Sequence, residues 1–255
     1  MDIQPYLDRI HFLKKPEVSA DVLFQLQKNH LLHVPFENLD IHYRKKITLD
    51  PESQYTKIVE NKRGGFCYEL NSLFNELLKT IGFDSYLISA RAFIENDTYG
   101  KEYDHMAVVV KWDGKSYLAD VGFGKFTLEP LEIAVGVPQQ DEHGLFIFDE
   151  YPGGYYRVSK LENNILTPEY IFTLKSRKLD EFEPMCEYHQ VSPLSHFTRK
   201  KVISLARPQG RITLTNDTLK INDGDGTEII PIANNEFNHY LQNYFNIHLK
   251  SDLTD

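Results

Sequence analysis

The chain has 255 residues, 41% hydrophobic and 13% aromatic, with a formal net charge of −9. That composition excludes a disordered chain, and no apolar run approaches the roughly 20 residues needed to span a bilayer. An acidic balance with scattered basic residues excludes a nucleic-acid surface, which needs clustered Lys and Arg. One local patch would still suffice for a phosphorylated cofactor; the short run Arg44-Lys45-Lys46 reads as a solvated loop. Two cysteines, Cys67 and Cys186, make no disulfide framework. The opening "MDIQPYLDRI" lacks the basic flank and apolar core of a signal peptide, so the expected location is cytoplasmic.

The first third of the chain has helical periodicity. Ser19 is placed to cap a helix running through Val22, Leu23 and Leu26 toward His30. A second helix follows "NKRGGFCYELN" at 61–71, where Phe66, Leu70, Leu73, Phe74, Leu77, Leu78 and Ile81 recur as one helical face and Gly82 supplies a C-cap. Cys67 falls in its first turn. Unpaired N–H groups and the positive end of the helix dipole there favour an anion, which biases a thiol toward thiolate. The alternative is a small buried hydrophobe.

From about Asp84 to about Gln190 the period changes to two, in runs such as "SYLISARAF", "HMAVVVKW", "KSYLADVGF", "LFIFDEY" and "EYIFTLK". This is a β-rich sheet or barrel, with "DEYPGGYY" as its expected mobile loop. Beyond it come the strands "KVISL", "RITLT" and "TLKIN", with a turn at Asn216-Asp217. A closing helix presents Phe237, Tyr240, Leu241, Tyr244 and Phe245 on one face. There is no internal repeat or low-complexity linker, so these segments pack into one compact unit.

One hairpin bears on chemistry. "HMAVVVKWDGKSYLAD" is two alternating strands around Asp113-Gly114. A two-residue loop sets Trp112 opposite Lys115, and counting back sets Ala107 opposite Asp120. His105 then shares the face of Asp120 as its diagonal neighbour, roughly 7–8 Å away between backbones. A one-residue slip would send the two to opposite faces. Asp104, adjacent to His105, points the other way. A cysteine nucleophile needs a base and a group that orients the base. The order Cys67, His105, Asp120, with the thiol on a helix and the base on a sheet, is the layout of papain-like enzymes.

Other motifs carry less. His30, His33 and Glu37 are near in sequence but lack the His-Glu-x-x-His order, and Pro35 interrupts any helix there, so no metal site is expected. "NDGDGTE" lacks the twelve-residue calcium-loop ligand series and is expected to be a tight turn. "GFGK" lacks the glycine spacing of a P-loop.

With those residues in place, the sequence resembles the arylamine N-acetyltransferase family, in its short bacterial form. The family pattern stands as Arg63, Gly64, Gly65, Phe66, Cys67 and Asn71, followed by "HMAVVV" at 105–110 and "ADVGFG" at 119–124. "HVPFENLDIH" at 33–42 and the stretch from Phe172 to Leu214 match as well. The resemblance implies an α+β, papain-like architecture: a helical domain at 1–83 carrying the nucleophile, a β-barrel at 84–190 carrying His and Asp, and an α/β lid at 191–255. It implies a Cys67–His105–Asp120 triad, an acceptor pocket lined by Phe66 and Phe123, and a cleft for the pantetheine arm beside Gly122 and Gly124. It implies acetyl-coenzyme A as cosubstrate, an aromatic amine, hydrazine or hydroxylamine as acceptor, no metal, and no nucleic-acid or membrane partner. Glu37 and Arg63 are expected as an ion pair bracing the loop before Cys67. Cys186, where relatives commonly have Asn, is expected only to pack. A thioesterase or amidase would use the same three residues, and a silent scaffold would keep the fold without the chemistry.

Overall fold

The computed structural model describes residues 1–224 and 226–249. Its helices are α1 (Gln4–Arg9), α2 (Ala20–His33), α3 (Leu39–His42), α4 (Pro51–Tyr55), α5 (Cys67–Ile81), α6 (Glu183–Val191) and α7 (Phe237–Phe245). The strands are β1 (Phe36–Glu37), β2 (Asp84–Ala92), β3 (His105–Trp112), β4 (Lys115–Ala119), β5 (Leu131–Glu132), β6 (Gln139–Asp141) and β7 (Gly144–Tyr151). They continue with β8 (Tyr155–Glu162), β9 (Ile165–Phe172), β10 (Val202–Arg207), β11 (Gly210–Thr215), β12 (Thr218–Asn222) and β13 (Thr227–Pro231).

Ser19 caps α2, its hydroxyl accepting from the Val22 N–H at 3.3 Å. Helix α5 starts at Cys67 and ends at Gly82, whose φ of +114° is the left-handed C-cap conformation. Phe66, Leu70, Leu73, Phe74, Leu77 and Leu78 are all buried in the main hydrophobic cluster, each contributing ~1.5–3 kcal/mol of apolar burial. Glu69, Asn71, Ser72 and Asn75 on its other faces are buried too. The first turns of the helix are therefore enclosed by packing, and their polar residues need partners inside the protein, while Glu76, Lys79 and Thr80 near its end reach solvent.

The described strands form two antiparallel sheets. The larger runs β5-β4-β3-β2-β9-β8-β7-β6 and curls into a nearly closed barrel. Its edges are joined by one side chain: the Gln139 carboxamide accepts from the Glu132 N–H at 2.8 Å and donates to the Glu132 carbonyl at 2.7 Å. Asp113 and Gly114 both have positive φ, +50° and +73°, as a two-residue type I′ loop requires. Trp112 pairs with Lys115 and Val108 with Ala119, so the next step along the ladder sets Ala107 against Asp120. On β3, Met106, Val108 and Val110 belong to the cluster shared with α5, whereas Ala107 and Val109 fill the barrel. Both faces are buried, which is why "MAVVV" reads as an unbroken apolar run. The "DEYPGGYY" segment is the tip of the β7–β8 hairpin, with Tyr151 paired to Tyr155.

The smaller sheet runs β1-β10-β11-β12-β13, and α7 packs on it through Phe237, Leu241 and Phe245. Tyr240 and Tyr244 are half-buried at its margin. The Asn216-Asp217 turn joins β11 to β12. "NDGDGTE" joins β12 to β13, with Asp225 outside the described residues. No helix among the described residues is long and apolar enough to cross a membrane.

Candidate active site

Two segments converge ahead of Cys67. The Glu37 N–H donates to the Gly65 carbonyl at 2.8 Å, so β1, an edge of the smaller sheet, also pairs with the chain entering α5. That crossing explains Gly64: a Cβ there would lie 2.0 Å from the Pro35 carbonyl oxygen. Underneath lies a buried ionic network. Arg63 bonds Glu37 (2.6 and 2.9 Å) and Asp40 (2.9 Å), and Lys57 reaches Asp40 and Glu69, each at 2.9 Å. Glu69 also accepts from the Phe66 N–H at 3.1 Å, satisfying a donor at the start of α5. Burial raises the Glu69 carboxyl and the Lys57 ammonium pulls it back; the charges of Lys57 and Arg63 hold Asp40 below the usual carboxylate range against burial. The sequence pairs Glu37 with Arg63. Lys57, placed by the π-turn Thr56–Glu60, together with Asp40 and Glu69, has no local signal.

The hairpin delivers its pair. His105 Nε2 lies 2.7 Å from Asp120 Oδ2, both side chains buried. Tyr170 donates to the same oxygen at 3.0 Å, while Oδ1 accepts from Asn71 Nδ2 and the Gly122 N–H, each at 2.9 Å. A carboxylate has about four lone-pair sites, and here each faces a donor. Asn71 also donates to the Met106 carbonyl (2.6 Å) and accepts from the Val121 N–H (2.9 Å), binding α5 to β3 and to the loop that follows β4. Gln27 accepts from the Asp120 N–H at 3.0 Å. Of these partners Asn71, four residues after Cys67 and so on the same helix face, and Gly122 of "ADVGFG" have a sequence signal; Tyr170 and Gln27 have none.

Cys67, His105, Gly122, Phe123 and Gly124 all line one cleft of about 360 Å³. Phe36, Phe197 and His196 add aromatic walls, and Lys200 lies on the same cleft. Gly122 is there by necessity: a Cβ would lie 2.7 Å from Cys67 Cα and 2.8 Å from Asn71 Nδ2. The Phe123 ring meets His105 edge-on at 4.9 Å. Phe66 is set apart from the other sequence-derived residues. It is fully buried, packs edge-on against Tyr68 and sits 6.0 Å from the Phe197 ring rather than lining the cleft.

Burial pushes the Cys67 thiol well above its ordinary value, against the bias expected of a helix N-terminus; a bond from the Met106 backbone pulls the other way. Desolvation outweighs that one N–H. A thiolate in this site therefore needs a nearby cation, and the imidazole of His105 lines the same cleft. Cys186 is buried elsewhere, its thiol pushed up to about 12, with Gln190 Nε2 donating to Sγ at 3.4 Å. His30, His33 and Glu37 do not meet: His30 bonds Tyr6, His33 contacts the carbonyl of Asn29, and Glu37 belongs to the ionic network.

The N-acetyltransferase family model matches residues 19–254. A pineal gland isozyme of arylamine N-acetyltransferase from Gallus gallus is 34% identical over 98% of this chain and 95% of its own. Arylamine N-acetyltransferase 1 from Homo sapiens is 32% identical over 99% and 96%. Among solved structures, the enzyme from Mycobacterium smegmatis superposes with a TM-score of 0.91 at 27% identity, covering 100% of this chain and 94% of that one. An arylamine N-acetyltransferase from Bacillus cereus gives 0.90 at 26% identity over 98% and 100%, and is described as having a unique Cys-His-Glu catalytic triad. In the present chain the carboxylate bonded to His105 is an aspartate. Sequence and fold agree over essentially the whole length: this chain belongs to the arylamine N-acetyltransferase family.

Proposed function

We propose that the protein transfers an acetyl group from acetyl-coenzyme A to an aromatic amine, hydrazine or hydroxylamine by a ping-pong route through acetyl-Cys67. The observation that carries this reading is the thiol at the start of α5 sharing one cleft with a histidine whose Nε2 is held by Asp120. With Nε2–H donated to Asp120, Nδ1 carries the lone pair that takes the Cys67 proton. In the first half-reaction Cys67 Sγ attacks the thioester carbonyl, the bond to the coenzyme A sulfur breaks, and the proton passes through His105 to the departing thiolate. Thiolate-for-thiolate exchange joins groups of similar pKa, so there is no large uphill step. In the second, the amine nitrogen attacks acetyl-Cys67, the Sγ–carbon bond breaks, and His105 moves the amine proton to Sγ. In this scheme the Cys67 N–H, in the first turn of α5 and without an intrahelical partner, donates to the oxyanion.

The cleft chemistry supports the acceptor class. Phe36, Phe123 and Phe197 offer aromatic walls, and Gly124, where a side chain would meet nothing within 4 Å, leaves room for the pantetheine arm. Lys200 supplies a cation to the same cleft for a phosphate-bearing cosubstrate. Aromatic amines are weakly basic and remain neutral near pH 7, whereas an alkylamine is mostly protonated and not nucleophilic. The test is coenzyme A thiol release measured with and without arylamine. A transferase releases thiol mainly with acceptor present; steady release without acceptor, unchanged on adding one, assigns a hydrolase instead.

A further inference from the structure

Arg211 on β11 is hard to account for by packing. Burial lowers its guanidinium to about 10, and among the described residues no carboxylate pairs with it. Nη1 donates to Ser204 Oγ at 2.9 Å, Nη2 donates to the Gly124 carbonyl, and the buried Nε–H has no partner. A half-buried cation with a fully buried Nε–H and no counter-charge is costly, so one that persists is there for its contacts.

Its principal contact is on the cleft. Gly124 follows Phe123 in the loop that passes over Cys67. Two residues on, the Phe126 carbonyl lies 2.8 Å from His143 Nδ1, and His143 Nε2 lies 3.0 Å from the Arg207 carbonyl. Arg207 pairs with Gly210 at the β10–β11 turn. The loop is thus tied at the Gly124 carbonyl to one hairpin of the smaller sheet, and at the Phe126 carbonyl it meets His143, whose two ring nitrogens face one carbonyl of the loop and one of that hairpin. Its other end is fixed independently, by Asp120 and Asn71 bonding Gly122 and Val121. Between these anchors stands Phe123, its ring 4.9 Å from His105 and 4.8 Å from Tyr170.

We propose that Arg211 is a positioning residue for the acceptor half of the reaction, clamping the Gly122–Phe126 loop, and with it the Phe123 wall, to the β10–β11 hairpin, with His143 lying between the two. The proposal rests on the function above. None of the bonds that fix Cys67, His105 and Asp120 passes through Arg211, so its loss falls on the step that needs Phe123 in place. An acceptor ring seated against a loosened wall reaches acetyl-Cys67 in the reactive pose less often.

Arg211→Met keeps the apolar stem and removes the donors; Arg211→Lys keeps the charge. Each is loaded with acetyl-coenzyme A and then discharged with arylamine, both steps followed by intact mass. Amide exchange is read in parallel over residues 121–127 and 67–81. Expected for Arg211→Met is a discharge rate about tenfold lower relative to loading, the worth of one charge-assisted hydrogen bond. Exchange should quicken in 121–127 but not in 67–81, and Arg211→Lys should recover part of both. Equal losses in the two half-reactions, or unchanged exchange at 121–127, would overturn the clamp. If the wild type never loads at Cys67, the function proposed above fails, while the exchange measurement still decides the clamp. Arg211→Lys carries the test should Arg211→Met not fold.

Discussion

Two buried thiols lie beside two cavities, and the thiol that shares its cavity with a histidine of the central hairpin has the smaller one. Cys186 lines a space of about 540 Å³ among Arg44, Lys46, Glu187 and Gln190, with no histidine on its walls. Cys67 lines the smaller one, about 360 Å³, with His105 beside it and Asp120 behind. Burial pushes both thiols up. Cavity size and burial therefore fail to separate them; what does is the histidine on the wall of the smaller cleft, its Nε2 2.7 Å from a carboxylate whose oxygens each have two partners. A place at a helix N-terminus does not by itself mark Cys67 as a thiolate, because burial raises the thiol.

The largest effect expected from this contrast is on turnover. Cys67→Ala should lower arylamine-dependent coenzyme A release by a factor on the order of 10⁴–10⁶. Cys186→Ala should leave it within about twofold while costing ~1–2 kcal/mol of stability as a small cavity, read from denaturant midpoints. A loss of turnover in Cys186→Ala alone would reverse the comparison. Next comes the orienting carboxylate: Asp120→Asn sets an amide N–H against donors that now converge on two acceptor oxygens, and should slow turnover by about 10²–10⁴. Tyr170→Phe removes one of those four donors and should cost only about three- to tenfold. Equal effects would mean that Asp120 acts through packing rather than through His105. Gly122→Ala should cost ~1–3 kcal/mol through overpacking against Cys67, seen as a lower melting temperature together with slower loading. A stable, fully active Gly122→Ala would show that the loop yields without disturbing the thiol.

A pH effect sharpens the contrast between buried histidines. His30, with Nδ1 2.8 Å from the Tyr6 hydroxyl and Nε2 unpartnered, is lowered to about 3 by burial. Its folded value lies below the unfolded one near 6.5, so the unfolded chain binds the extra proton. Stability is then full above pH 6.5 and falls as pH drops toward about 3, with a slope approaching ~1.4 kcal/mol per pH unit. His30→Phe should lose that slope in urea midpoints taken at pH 7, 6 and 5. An unchanged slope would place the acid sensitivity elsewhere.

Local patterns in the sequence carry the core of the site. The period of α5 and the Asp113-Gly114 loop put Cys67, His105 and Asp120 in place, because a helix start and a two-residue hairpin are set by residues close in sequence. Tyr170 and Gln27 reach Asp120, and Lys57 reaches Glu69, only through packing between distant segments, and nothing near Tyr170, Gln27 or Lys57 in the chain marks them. The two-residue strand β1 and the short β5 and β6 are too brief to show a period, and helix α6, from Glu183 to Val191, lies inside the region assigned to strands. The interface between the β10–β11 hairpin and the Gly122–Phe126 loop is invisible in sequence for the same reason.

The most direct test of the central claim is intact-protein mass after brief exposure to acetyl-coenzyme A, for wild type and Cys67→Ala, followed by an aromatic amine. One acetyl group added to the wild type, absent from the variant and discharged onto the amine is the result expected of a transferase with Cys67 as its nucleophile. No adduct on the wild type, or an adduct that persists in Cys67→Ala, would contradict it.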